Sequence, residues 1–311
     1  MQTTEGVILK GIDGLYHVRT TDGKTVLCGA RGSFRHRKIR LLSGDRVVLT
    51  VSSGGDGTEG GTVISGLLPR KNEWKRPPIA NLTLLCVVFA AAQPAPVLTV
   101  VDKLLAVAER KQILPFVIVT KADAALEEAE RLAAIYRQAG FYVFLSGAGG
   151  GTDAGLLPAL RECLHGGIAA FAGASGVGKS TLIGTLFPQL SPETGMLSRK
   201  TERGRHTTRC VTLYPVSDLT EDAPDGFLAD TPGFSMLELW EQERVDRNEA
   251  AELFREFRPY FGLCRYTDCT HTREDGCAVL EAVRQGKIPQ SRHDSFLSVY
   301  EELKHRHHWD K

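Results

Sequence analysis

The chain has no apolar stretch long enough to cross a bilayer, which takes roughly 20 residues. Its most apolar run, LTLLCVVFAAAQPAPVLTVV, is broken by Gln93, Pro94 and Pro96. The unbroken part reads as a buried strand. The start, MQTTEGVILKGIDG, lacks the basic end and apolar core of a signal peptide. Excess charge of one sign is missing too: the formal net charge is +1, so the chain as a whole does not announce a nucleic-acid partner. Disulfides are not expected. The seven cysteines are an odd number, and three of them crowd between Cys264 and Cys277, which fits a reducing compartment and a metal site. No internal repeat is present. These absences leave a cytoplasmic globular protein with no membrane contact, long enough at 311 residues for two or three domains. Local charge is less even. RGSFRHRKIR (31–40), RKNEWKR (70–76) and RKTERGRHTTR (199–209) are basic; most such runs are solvated faces, but three of them keep RNA contact open.

Residues 1–68 read as short strands with glycine turns. Asp13-Gly14 and Asp22-Gly23 sit between strand-like residues, as tight hairpins require. A small β-barrel follows, and an OB-fold is one such barrel; the pattern alone leaves the type open. From Asn81 to about Trp240, apolar strands alternate with amphipathic helices, the pattern of a mostly parallel sheet covered on both faces. Beyond Trp240, RVDRNEAAELFREFRPYF reads as one helix and SRHDSFLSVYEELKHRHHWDK as another, with the cysteines between them. The expected domains are 1–68, 69–240 and 241–311.

GASGVGKST follows a strand and opens a helix, the setting that confirms a phosphate loop. Backbone N–H groups of Gly173, Ala174, Ser175, Gly176, Val177 and Gly178 would close around phosphate oxygens. Lys179 would reach the β- and γ-phosphates. Ser180 would ligate Mg²⁺, with Thr181 beside it. DTPG follows another apolar strand; Asp230 would hold Mg²⁺ through water and the Gly233 N–H would sense the γ-phosphate. Between them, Thr207 or Thr208 of GRHTT would ligate Mg²⁺, and the sequence does not decide which.

Thr120-Lys121-Ala122-Asp123 matches a guanine-reading motif, Asn-Lys-x-Asp, except at its first residue. Asp123 would accept from the guanine N1–H and 2-amino group, a donor pair that adenine lacks. One strand later, Ser146, Gly147 and Ala148 resemble the loop whose N–H groups meet guanine O6. Both base-reading loops precede the phosphate loop, whereas ordinary GTPases place them after it, so the order reads as circularly permuted. Phe234 stands where many GTPases carry a water-orienting Gln. His206 is the local candidate for that task, and a surface or RNA-contacting histidine is an equally good reading of it. Cys264, Cys269, His271 and Cys277 give a C-x₄-C-x-H-x₅-C spacing, a closed donor set for one structural Zn²⁺.

With these motifs in this order, nearly the whole chain resembles the ribosome small-subunit-dependent GTPases of the RsgA type. The resemblance implies an N-terminal OB-fold, a circularly permuted GTPase domain and a mainly helical, zinc-bearing C-terminal domain. It also implies late maturation of the small (30S) ribosomal subunit, rRNA contacts, GTP and GDP as ligands, hydrolysis stimulated by the subunit, and a catalytic histidine matching His206. A monomer is expected. Two rival readings are an ATP-using P-loop protein with an accidental TKAD, and an RNA-binding module with a vestigial nucleotide site. Thr120 in place of Asn raises the expectation of weaker nucleotide binding. Gly147 in place of Ala is expected to matter little.

Overall fold

A computed structural model describes residues 2–51, 61–75, 77–148, 151–190, 211–219, 225–230, 240 and 245–305. The first strands are β1 (Gln2–Ile12), β2 (Leu15–Thr20), β3 (Thr25–Ala30), β4 (Arg46–Val51) and β5 (Thr62–Leu67), with a short helix, α1 (Gly32–His36), between β3 and β4. They close a barrel in the order β1-β2-β3-β5-β4, with β4 returning antiparallel to β1 and β3 parallel to β5. This is the expected OB-type barrel. Asp13 and Gly14 both adopt positive φ, 50° and 84°, so the β1–β2 hairpin has the mirror-image turn that matches strand twist. Ile8, Val18, Val47, Leu49 and Ile64 are fully buried inside. Phe34 of α1 packs against them as a plug.

The connection after the barrel forms a small hairpin, β6 (Glu73–Lys75) with β7 (Pro78–Ala80). Arg70 anchors it through two bonds to the buried Asp45 carboxylate, 2.6 and 2.8 Å, and one to the Arg40 carbonyl, 2.6 Å. Asn81-Leu82-Thr83 fits a glycosylation sequon, yet Asn81 is buried. Its amide accepts from Lys71 N (2.8 Å) and donates to Gly44 O (2.9 Å).

Six further strands follow: β8 (Leu84–Ala90), β9 (Leu114–Thr120), β10 (Tyr142–Leu145), β11 (Ile168–Ala172), β12 (Thr212–Pro215) and β13 (Phe227–Asp230). Their hydrogen-bonded order is β10-β9-β8-β11-β13-β12. β9–β10 and β11–β13 are parallel, and β12 is an antiparallel edge. Every residue of β8 is buried, which explains its unbroken apolar run. The helices are α2 (Leu98–Arg110), α3 (Leu126–Gln138), α4 (Leu156–Cys163) and α5 (Lys179–Leu186). α2 buries Val101, Leu104, Leu105 and Ala108, the i, i+3, i+4, i+7 stripe of a helix on a core.

One expectation fails. RVDRNEAAELFREFRPYF is not one helix but two 3₁₀ segments, Arg247–Leu253 and Arg255–Tyr260. Phe254 between them is extended, φ −104° and ψ 94°. Pro259 has no N–H to give a helix. The break also lets Phe254 and Phe257 stack at 5.4 Å while Phe296 meets both edge-on, at 5.5 and 5.1 Å. Phe296 belongs to the long terminal helix Gln290–His305; a shorter helix, Ala278–Arg284, precedes it.

The chain divides into two compact units. One gathers Met1–Leu84, Arg161–Ala170 and Phe187–Phe234; the other gathers Leu85–Leu160, Phe171–Leu186 and Ser235–Lys311.

Candidate nucleotide site and metal cluster

The second unit holds the phosphate loop. β11 runs into Gly173, and α5 opens at Lys179. A Cβ at Gly173 would lie 2.1 Å from Val88 O, and Gly176 and Gly178 have φ of 77° and 93°, so three of the motif's glycines are required by the backbone. Lys179 Nζ donates to Gly173 O (2.8 Å) and Ala174 O (2.6 Å). The loop thus curls around the ammonium. Burial lowers the Lys179 pKa from its ordinary value. Ala174, Ser175 and Gly176 are exposed on the loop, as are Ser180 and Thr181 in the first turn of α5, while Val177 is buried.

The base-reading loops lie in the same unit. Thr120 ends β9 and is buried. Its hydroxyl is 2.5 Å from Val177 O in the phosphate loop and 3.1 Å from Phe89 O. One hydroxyl proton serves one carbonyl at a time, and either bond fixes the loop. Thr120 therefore ties the end of β9 to the phosphate loop without an Asn side chain. Lys121 has φ +56° and donates from Nζ to Gln93 O at 2.5 Å. Ala122 N donates to Ser146 O (3.1 Å), joining the two base-reading loops. Gly147 lies directly against Asp123: a Cβ there would sit 2.9 Å from Asp123 Oδ1 and 3.1 Å from its Cβ.

The second loop spends more of its amides internally than the motif suggests. Ser146 N donates to Val119 O (2.8 Å) and Gly147 N to Gly151 O (3.1 Å). Ser146 Oγ pairs with Thr152 Oγ1 at 2.9 Å. Gln93, Phe89 and Thr152 escaped sequence reasoning. Gln93 carried one usable signal, its place in a loop that follows an apolar strand.

Asp230 is the last residue of β13, which lies in the first unit; its neighbour Ala229 pairs with Ala170 of β11 and Leu213 of β12. His206, Thr207, Thr208, Gly233 and Phe234 lie outside the described residues.

Cys264, Cys269, His271 and Cys277 converge, their ligand atoms all within 4.8 Å of one another. His271 Nδ1 is 3.5, 3.6 and 3.5 Å from the Sγ atoms of Cys264, Cys269 and Cys277. Cys264 Sγ to Cys277 Sγ is 4.0 Å. Bond lengths of about 2.3 Å to sulfur and 2.0–2.1 Å to nitrogen give tetrahedral edges of about 3.8 Å for S–S and 3.5 Å for N–S. The donor set fits Zn²⁺ in kind, number and size. Burial pushes the Cys269 thiol up to about 12 and the Cys277 thiol upward as well, so these two would be thiols without a metal and would give up their protons on binding Zn²⁺. The His271 ring stacks on Phe261 at 5.7 Å, and its carbonyl accepts from His293 Nε2 at 2.9 Å.

The carboxylate of Glu274 organises this loop. It accepts from Thr270 N (3.0 Å), the Thr270 hydroxyl, Thr272 N (3.0 Å) and Arg273 N (3.1 Å). Burial alone would raise its pKa, but these bonds outweigh burial and bring it down to about 2.

Comparison with known proteins agrees with this geometry. The family profile described as RsgA GTPase matches residues 67–240, and that of the RsgA N-terminal domain matches residues 5–58. The small ribosomal subunit biogenesis GTPase RsgA of Moorella thermoacetica is 38% identical over 96% of this chain and 97% of its own. The protein of the same name from Geobacillus kaustophilus is 39% identical over 97% and 98%. Similar solved structures are YjeQ from Thermotoga maritima, with TM-score 0.78, 28% identity and coverage of 98% of this chain and 100% of that one, and YloQ, described as a circularly permuted GTPase, with TM-score 0.76, 30% identity and coverage of 98% and 96%.

Proposed function

The chain belongs to the RsgA GTPase family, and from that premise we infer that it hydrolyses GTP in the biogenesis of the small ribosomal subunit. The observation that carries this reading is the Thr120–Val177 bond. It joins a guanine-reading loop to a phosphate loop that follows it in the chain, as a permuted GTPase requires. An ATP-using protein would have no use for Asp123 beside Gly147, or for a phosphate loop tied to the strand end that leads to Asp123.

The chemistry is positioning and charge stabilisation. Asp123 accepts from the guanine edge and Lys121 lays its stem along the base. The amides of Gly173 to Gly178 surround the phosphates, and Lys179 leaves its two carbonyl partners for the β- and γ-oxygens. Ser180, Asp230 and either Thr207 or Thr208 are the residues that would hold Mg²⁺, which supplies neutralisation of charge developing on the transferred phosphoryl group. Gly233 senses that group. Phe234 cannot hydrogen-bond water, so His206 orients the attacking molecule once the subunit has docked. Zn²⁺ at Cys264, Cys269, His271 and Cys277 is structural. The working unit is a cytoplasmic monomer with domains at 1–68, 69–240 and 241–311. Its GTP form grips the maturing subunit and its rRNA, and hydrolysis late in maturation releases it.

The test is GTP turnover by the purified protein with and without small ribosomal subunits, with ATP as control. We expect GTP-selective turnover that the subunit stimulates strongly, and a His206→Ala variant that binds GTP normally but loses the stimulation. Turnover favouring ATP, or GTP turnover indifferent to the subunit, contradicts the proposal.

A further inference from the structure

Arg31 just before α1, Arg35 and His36 on it, and Arg37, Lys38 and Arg40 in the turn that follows are all exposed. Their backbone is held firmly. Arg31 N donates to Ile64 O (3.0 Å), Arg37 N to Ser33 O (3.0 Å), Lys38 N to Arg35 O (3.1 Å) and Ile39 N to Phe34 O (2.9 Å), and Phe34 is seated in the barrel core. Among the described residues no carboxylate pairs with any of the six. Elsewhere on the barrel and its connection four cations have carboxylate partners, while Lys10 and Lys71 stand singly rather than in a cluster. Arg19 is matched by Asp218 (2.9 Å), Lys24 by Asp22 (3.1 Å), Arg46 by Glu5 (3.2 Å) and Arg70 by Asp45 (2.6 Å). A rigid turn crowded with unmatched cations repels itself and weakens the fold unless a partner of opposite charge covers it.

Barrels of this order commonly take nucleic acid on the β2–β3 face. Here that face is poorly equipped. Its outward side chains include Leu15, His17, Arg19, Thr25 and Leu27, with no Phe, Tyr or Trp on which a base could stack. Tyr16 packs against the core instead, and Arg19 is already held by Asp218.

We propose that the barrel grips RNA by its phosphate backbone through the α1 turn, rather than by stacking bases on the β2–β3 face. The identity of the RNA as rRNA rests on the ribosomal function proposed above. Such a contact reads backbone shape and charge, not sequence. Its signature is a salt dependence that falls with each cation removed.

The experiment measures binding of the full-length protein to small ribosomal subunits and, separately, to a plain RNA duplex, as a function of salt. One variant combines Arg35→Gln, Arg37→Gln and Lys38→Gln; all three side chains are exposed, so the fold and the unstimulated GTP turnover are expected to stay as in the parent. A control variant carries Arg35→Lys and Arg37→Lys. The slope of log affinity against log salt should shrink by about two to three for the triple variant on both probes, and the control should keep the parent slope. An unchanged slope in the triple variant overturns the proposal. So does lost subunit binding with duplex binding intact, which would assign the patch to an acidic protein surface. A parent protein that binds neither probe overturns it as well. A parent that binds the duplex through these residues but ignores the subunit supports the patch and counts against the ribosomal function.

Discussion

Thr120 shows what a one-residue departure from a motif can preserve. A hydroxyl is shorter than a carboxamide, yet here it lies 2.5 Å from the Val177 carbonyl because β9 ends directly beside the phosphate loop. Thr120→Val keeps the shape and removes the proton, leaving a buried carbonyl without its donor. That costs about 1–3 kcal/mol. We expect GDP affinity to fall about tenfold or more, with Thr120→Asn close to the parent; calorimetric titration checks both. If Thr120→Val binds GDP as the parent does, the bond is not what orders the two loops. Glu274 offers a second residue-scale prediction. Its folded pKa, about 2, lies below the ordinary 4.5. The stability it contributes is therefore complete above pH 4.5 and lost as pH falls towards 2. Carboxyl NMR of Glu274 should show no titration between pH 5 and 3, and Glu274→Gln should flatten the acid side of the stability profile in that window. Neither feature could be read from the sequence, which shows which residues are present but not that three amides of one turn point at one carboxylate.

At the scale of elements, the terminal helix is where sequence reasoning and structure part. Arg292 and His293 read as the polar side of an amphipathic helix, yet both are buried. Arg292 reaches Asp102 of α2 (2.5 Å) and Glu256 of the second 3₁₀ segment (2.6 and 3.3 Å). Its guanidinium also lies 4.9 Å from the Phe254 ring. Burial disfavours the charge of Arg292, but Asp102 and Glu256 outweigh it and raise the pKa. A periodic pattern marks the face that carries aliphatic side chains; it cannot announce that a partner helix supplies a carboxylate to a charged one. The central strands β8, β9 and β11 were legible because their burial is continuous, α2 and α3 because one face of each is apolar, and the phosphate loop because its chemistry is local. Arg292→Met removes the cation and strands two buried carboxylates, a change that typically costs about 3–5 kcal/mol. Denaturant unfolding should show that loss, and restoring charge with Arg292→Lys should recover part of it. A loss below about 1 kcal/mol would mean that the aromatic contacts, not the ion cluster, hold the terminal helix to α2.

For the whole molecule, the most legible feature was the order of the motifs, because chain order is covalent and needs no geometry to read. The division into compact units was not legible. The permutation leaves the phosphate and base-reading loops in the same unit as the metal segment, and Asp230 in the same unit as the barrel. Nothing in a motif's spacing reports such a partition, which depends on packing between distant segments. It bears on how far loss of metal should spread. The four ligands span residues 264–277, but the segment around them has two other supports: the Phe254, Phe257 and Phe296 cluster, and an ionic lock onto α2 that includes Arg255 with Glu109 and Lys103 with Glu302. Neither support uses a metal ligand. Stripping the metal with a strong chelator should therefore free three thiols to titration and erase hydrogen-exchange protection around 264–277, while amides of the terminal helix stay protected and GDP still binds. Sulfur ligands replaced one at a time, beginning with Cys269→Ser, should give the same local result. If chelation instead unfolds the terminal helix or abolishes GDP binding, the metal sustains the whole unit, and the aromatic and ionic contacts are insufficient without it.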